Sequence, residues 1–170
     1  MIGRMLIRRL QPEDALAYRE LRLRALREHP EAFTSSWEED SAKPPEASRQ
    51  RLASTNTMFW GAFDDAGMLA GMVGLERLPR AKERHKGHVV GMYVAPEAAG
   101  RGAGRALLQA LLDEAIAGGL TDLVLTVTEG NGAAQRLYEK AGFRAFGTEP
   151  RAIVVDGRAH GKVHMHRALR

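Results

Sequence analysis

The residues best suited to chemistry sit in one short stretch, Gly100-Arg101-Gly102-Ala103-Gly104-Arg105-Ala106. An alternating apolar run, Val89 to Val94, precedes it. A helical pattern follows, with Ala103, Leu107, Ala110, Leu111 and Ala115 on one side. The start of a helix leaves about four amide N–H groups without partners, and the aligned peptide dipoles favour an anion there. Glycine lets a ligand approach the backbone closely, and Arg101 and Arg105 add charge where a phosphate would sit. No acidic side chain occurs between Ala98 and Gln109. The stretch is suited to an anion, and a pyrophosphate fits it. Two familiar phosphate loops do not match. One requires Lys-Ser/Thr where this chain has Arg105-Ala106. The other requires Gly-x-Gly-x-x-Gly, whereas Gly100, Gly102 and Gly104 are spaced two and two.

Other reactive clusters are weaker. His160, His164 and His166 lie close together, and two of them share a strand face, but no cysteine or well-spaced acid completes a metal site. Ser35-Ser36 follows His29 without an elbow or an ordered base, so a serine nucleophile is rejected too.

The elements around the glycine stretch follow from periodicity and breakers. A short strand over 5–10 precedes a helix opened by Pro12-Glu13-Asp14, in which Leu16, Leu23 and Leu26 give an apolar side and Arg19, Arg22, Arg24 and Arg27 crowd the rest. His29-Pro30 ends it. A loop over 30–45 carries Phe33, Trp37 and the acids Glu38, Glu39 and Asp40, and a polar helix over 44–54 follows. Strands are predicted over 57–63 and 68–78, joined by the turn Asp64-Asp65-Ala66-Gly67, and then over 88–94. Gly118-Gly119 caps the long helix. The β-branched run over 121–128 reads as a strand covered on both faces. A helix after Asn131 carries Ala134, Leu137, Tyr138 and Ala141 on one side. Extended runs over 143–148 and 162–169 close the chain, with Asp156-Gly157 as a hairpin turn after 153–155. The fold class is α/β: one domain over 1–170, with a mixed, mostly antiparallel central sheet of six to seven strands and about four flanking helices.

Arg101-x-x-Gly104-x-Ala106 resembles the cofactor signature of the GCN5-related N-acetyltransferase (GNAT) family, between the strand and helix where that family carries it. A second block, Asn131 to Phe143, resembles the family's Asn-x-x-(Ala)-x-x-x-Tyr-x-x-x-Gly-Phe segment. The similarity spans nearly the whole chain, in outline only over the first third. It implies transfer of an acetyl group from acetyl-CoA directly to a primary amine. The implied cofactor contacts are Met92, Val94, Arg101, Gly102, Ala103, Gly104, Arg105, Ala106, Asn131 and Tyr138. The Val94 amide is the implied oxyanion donor, and Tyr138 the implied proton donor to the departing thiolate. Pro96, which has no N–H, marks the place where strands would part. Glu76, an acid near the end of a neighbouring strand, is the best candidate base. His88 is second, and a water relay is the alternative to both. In this fold the first helix and the following loop border the acceptor, so Arg24, Phe33, Trp37 and Glu76 are candidate substrate contacts, with the acids at 38–40 set to attract a cationic amine.

Composition sets the outer limits. At 170 residues, 44% hydrophobic and 27% charged, the chain can bury a sizeable core. It has no cysteine, which fits a reducing interior and removes thiolate chemistry. No apolar run of about 18 residues appears, and charges near the start argue against a secretory leader, so a cytoplasmic protein without membrane or metal is expected. The net charge of +4 suits a polyanionic cofactor, and no aromatic-plus-basic stripe points to nucleic acid. The first-choice acceptor is a small amine such as an amino acid, because Arg24 and the loop acids together suit a zwitterion. The alternatives are a protein N-terminus or lysine and, from another class, a non-catalytic CoA-binding module. A homodimer through the C-terminal strands is a further expectation.

Overall fold

Seven strands form one sheet in the order β1-β2-β3-β4-β5-β7-β6. A computed structural model describes residues 5–170. The elements run β1 (Leu6–Arg9), α1 (Ala15–Glu28), α2 (Trp37–Ser41), α3 (Pro45–Ala53), β2 (Thr57–Phe63), β3 (Leu69–Arg77), β4 (Lys86–Val94), α4 (Ala103–Ala117), β5 (Asp122–Thr128), α5 (Gly132–Lys140), β6 (Arg144–Val155) and β7 (Arg158–Ala168). All pairs are antiparallel except β4 with β5. No helix among the described residues is long and apolar enough to cross a membrane.

Side-chain alternation along the strands gives the sheet two apolar faces. In β2, Met58, Trp60 and Ala62 point to one face, where Leu107, Leu111 and Ala115 of α4 cover them. Phe59 and Phe63 point to the other, against Tyr18, Leu21 and Ala25 of α1 and Leu52 of α3. Helices on both faces explain why β2 and β3 are buried almost throughout.

The centre of the sheet does not stay closed. The β4–β5 ladder covers only Lys86 to His88 against Asp122 to Val124. Beyond it β4 stays with β3, where Ala95 N–H donates to Ala70 O at 2.8 Å, while β5 continues along β7 as far as Thr128. The cause is a bulge: Gly91 and Met92 together oppose the single residue Val73, and Gly91 adopts φ +64°. Pro96, expected from the sequence to mark the parting, lies past the strand in a 3-10 turn, and the separation begins well before it.

Two boundaries differ from those expected. The loop over 30–45 contains α2, whose N-cap Ser36 accepts from Glu39 N–H at 3.1 Å while the Glu39 carboxylate accepts from Ser36 N–H. The final runs join into one long hairpin, because β6 passes through a bulge at Pro150–Ala152, with Arg151 at φ +51°, and then resumes at Ile153. Strand β7 lies inside the sheet with Val163 and Met165 in the core, and β6 forms the edge.

Candidate active site

The glycine loop joins β4 to α4. Gly100 and Gly102 have φ of +78° and +77°, a region L side chains rarely adopt. Gly102 is the N-cap of α4, and the first helical hydrogen bond runs from Ala106 N–H to Gly102 O at 3.0 Å. The amides from Gly102 to Arg105 therefore have no acceptor within the helix. Gly104 matters for packing instead. A Cβ there would meet Leu137 Cδ2 at 3.2 Å, so its small size lets α4 and α5 pack closely. Arg105 lines the adjoining cavity, Arg101 is exposed beside it, and Ala106 is already inside the helix.

That cavity, about 920 Å³, runs from Gly100, Gly102 and Ala103 past Met92 and Val94 to Asn131 and Ala134. It occupies the gap between β4 and β5. Since Ala95 N–H faces β3, the preceding amide, at Val94, faces the opposite edge and points into the gap. An anion-binding helix end, an unpaired strand edge and a channel between them suit a long phosphorylated thioester.

A second cavity, about 400 Å³, meets the first at Phe33, Met92, Thr128, Asn131 and Ala134. Tyr138 and Glu76 both line it. Tyr138 is only 6% exposed and packs edge-on to Phe143 at 6.0 Å between centroids. Its hydroxyl makes no hydrogen bond among the described residues, and burial pushes its pKa well above the ordinary tyrosine value. Burial thus favours the neutral phenol. His88, opposite Glu76 in register, does not line the cavity.

The segment over 30–36 closes one side. Thr128 Oγ1 donates to Glu31 O at 2.6 Å, and Lys162 of β7 donates to Thr34 Oγ1. Burial lowers the Lys162 pKa. Phe33 lines both cavities and a third, about 580 Å³, which leads outward between Ser35, Trp37 and the β6–β7 residues Ile153 to Asp156. Trp37 lies under Arg27, with the guanidinium carbon 4.5 Å from the ring centroid.

Several candidate residues serve elsewhere. Arg24 lines none of these cavities. Its guanidinium is held by Glu97 at 2.6 and 2.8 Å and by Glu28 at 3.2 Å, and the Arg24 hydrogen bond lowers the Glu97 pKa to about 2. Two of the three loop acids are engaged elsewhere: Asp40 pairs with Arg22 at 2.5 Å and with Lys43 at 3.4 Å, and Glu39 caps α2, whereas Glu38 lines the outer cavity. Asn131 lines the junction but also caps α5, accepting from Ala134 N–H at 3.2 Å. His164 and His166 pair separately with Glu149 and Asp122, at 3.1 and 2.7 Å. Conversely, Arg22, Arg51 and Lys162 line the second cavity. Nothing in the sequence separated them from surface cations, because their convergence depends on three distant elements.

The sequence profile of the Acetyltransferase (GNAT) family matches residues 19–143. The chain belongs to this family. It is an acetyl-CoA-dependent acyltransferase. A relative from Mycobacterium tuberculosis, the N-alpha-acetyltransferase RimI, is 39% identical over 119 residues, covering 69% of this chain and 72% of that one. A GNAT-family acetyltransferase from Streptococcus pneumoniae superposes with a TM-score of 0.84 at 26% identity, covering 96% and 98% of the two chains. A phosphinothricin acetyltransferase from Sinorhizobium meliloti, solved in complex with AcCoA, has the same fold, with a TM-score of 0.83 at 21% identity over 98% and 89%.

Proposed function

We propose that the chain acetylates the α-amino group of a polypeptide N-terminus, and that a free small amine, the first-choice acceptor from sequence, is the lesser reading. The observation that carries this is the shape of the acceptor side. The cavity lined by Tyr138 and Glu76 shares Phe33, Thr34 and Ser35 with the outer cavity beside the β6–β7 turn. A small amine needs only the inner chamber, whereas an extended chain fills both. The likeness to a relative named as an N-alpha-acetyltransferase supports the same choice.

In this reading the amides of Gly102 to Arg105 hold the donor's pyrophosphate and the β4 edge at Met92 and Val94 aligns its arm. The Val94 N–H stabilises the negative charge that develops on the thioester oxygen. Glu76 takes a proton from the acceptor's ammonium, directly or through water, and the neutral amine attacks the carbonyl carbon. As the C–S bond breaks, Tyr138 gives its proton to the sulfur and regains one from the acylated nitrogen. The test compares thiol release from acetyl-CoA with free amino acids and with peptides of two to eight residues beginning with the same residue. Rising kcat/KM with peptide length supports the proposal. Equal rates for free amino acid and peptide overturn it.

A further inference from the structure

The inner end of the acceptor cavity holds charge that the proposed mechanism does not use. Arg22, Arg51 and Lys162 face a single carboxylate, Glu76, among its lining residues. Arg22 is partly neutralised, since its Nε donates to Asp40. Its Nη1 reaches the β4 bulge, 4.0 Å from where a Cβ on Gly91 would lie. Arg51 has no carboxylate within ion-pair distance among the described residues. Its Nε is buried with no hydrogen-bond partner, and its guanidinium stacks 5.1 Å above the Phe59 ring. Tyr18 Oη, in the same cluster, is also buried without a partner. Arg51 is half-buried, and its buried Nε and the buried Tyr18 hydroxyl leave hydrogen bonds unmade, which is costly to maintain. The arrangement makes sense as the fixed half of an ion pair whose other half arrives with the substrate.

We propose that Arg22 and Arg51 recognise a carboxylate on the acceptor, placed close to its reacting amine, so that N-termini beginning with Asp or Glu are the preferred substrates. Phe59 fixes the plane of the Arg51 guanidinium, and Asp40 fixes that of Arg22. A pre-set pair of forks binds a planar carboxylate better than two mobile lysines do. The reach is adequate: Gly91 lies three residues from Val94, at most about 10 Å along an extended strand. From amine to carboxylate a Glu residue spans about 6 Å, and a hydrogen bond of about 3 Å to a guanidinium covers most of the remainder. The net positive lining also disfavours polyamines, whose extra charges would meet Arg51.

This inference rests on the N-terminal reading, and the experiment separates the two. Initial rates are measured with paired peptides identical except for Glu against Gln, or Asp against Asn, at the first position. The free amino acids Glu and Gln form a parallel arm. The expected result is a preference for the acidic peptide of about 10- to 100-fold in kcat/KM, chiefly through KM. In Arg51→Gln the Glu/Gln ratio falls toward one, and in Arg51→Lys part of it returns. The ratio in the unaltered chain is decisive alone, should either variant fold poorly. Equal acetylation of Glu and Gln peptides overturns the carboxylate site and leaves N-terminal acetylation standing. A preference for free Glu over every peptide supports the carboxylate site and overturns the N-terminal reading.

Discussion

Replacing Tyr138 by Phe removes one oxygen from the centre of the proposed reaction. The Tyr138 hydroxyl has no protein partner among the described residues, so its loss orphans no donor or acceptor there. The ring keeps its edge-on contact with Phe143, and stability should change by less than about 1 kcal/mol, because no hydrogen bond to the protein is lost among the described residues. The phosphate end of the cavity is built from other residues, so the Kd for acetyl-CoA should change less than about twofold. The chemical step should suffer. A positioned general acid contributes about 10²- to 10⁴-fold, so kcat should drop by that factor, equivalent to about 3–5 kcal/mol of barrier. Because burial raises the Tyr138 pKa, the neutral donor persists on the alkaline side, and the wild-type rate should not decline through tyrosinate formation between about pH 8 and 10. Thiol release, equilibrium binding of acetyl-CoA and thermal unfolding measure the three quantities. A kcat within about threefold of wild type, or a Kd that rises as far as kcat falls, refutes the proton-donor assignment.

Gly102→Ala places a side chain at φ +77°, at a strain of about 1–2 kcal/mol, and should weaken acetyl-CoA binding by about tenfold; an unchanged Kd would show that the loop amides are not the anion site. Glu76→Gln should lower kcat/KM by about 10²-fold without altering acetyl-CoA affinity; a loss below about threefold assigns the proton to water instead. Asp40→Asn leaves the largely buried Arg22 uncompensated and should destabilise the fold by up to about 3 kcal/mol near pH 7. Burial opposes ionisation of Asp40, yet the Arg22 hydrogen bond and charge outweigh it and depress the carboxyl pKa. The stabilisation is therefore present above the ordinary carboxylate range and lost as pH falls through the lower folded value. Urea unfolding at pH 7 and pH 3 should show the gap between wild type and variant narrowing in acid, and a constant gap would contradict the pairing.

The glycine loop, the long helix and the Asn131–Phe143 block were legible because their signals are local: positive-φ glycines, an apolar stripe and a capped helix. The parting of β4 from β5 was legible only in outcome. Its cause, a bulge at Gly91, depends on register with Val73, and register is not visible in a single strand. The Ser36-x-x-Glu39 capping box was present in the sequence and marked α2, but the neighbouring acids stood out as charges rather than as helix caps. Arg24 and Arg22 show the limit most plainly. They lie two residues apart on α1, so they face different sides of the helix. One meets Glu97 in the turn after β4, and the other reaches the acceptor cavity. Only the packing direction of α1 distinguishes them. Arg51, Lys162 and the outer cavity likewise exist through contacts between segments distant in sequence.

Locating the acetyl group on a product tests N-terminal acetylation most directly. A peptide bearing one free N-terminal amine and one internal lysine is incubated with the chain and acetyl-CoA, and the modified peptide is sequenced by tandem mass spectrometry. The acetyl group is expected on the α-amine, with the lysine unmodified. Acetyl on the lysine alone, or an untouched peptide alongside rapid acetylation of free amino acids, contradicts that assignment.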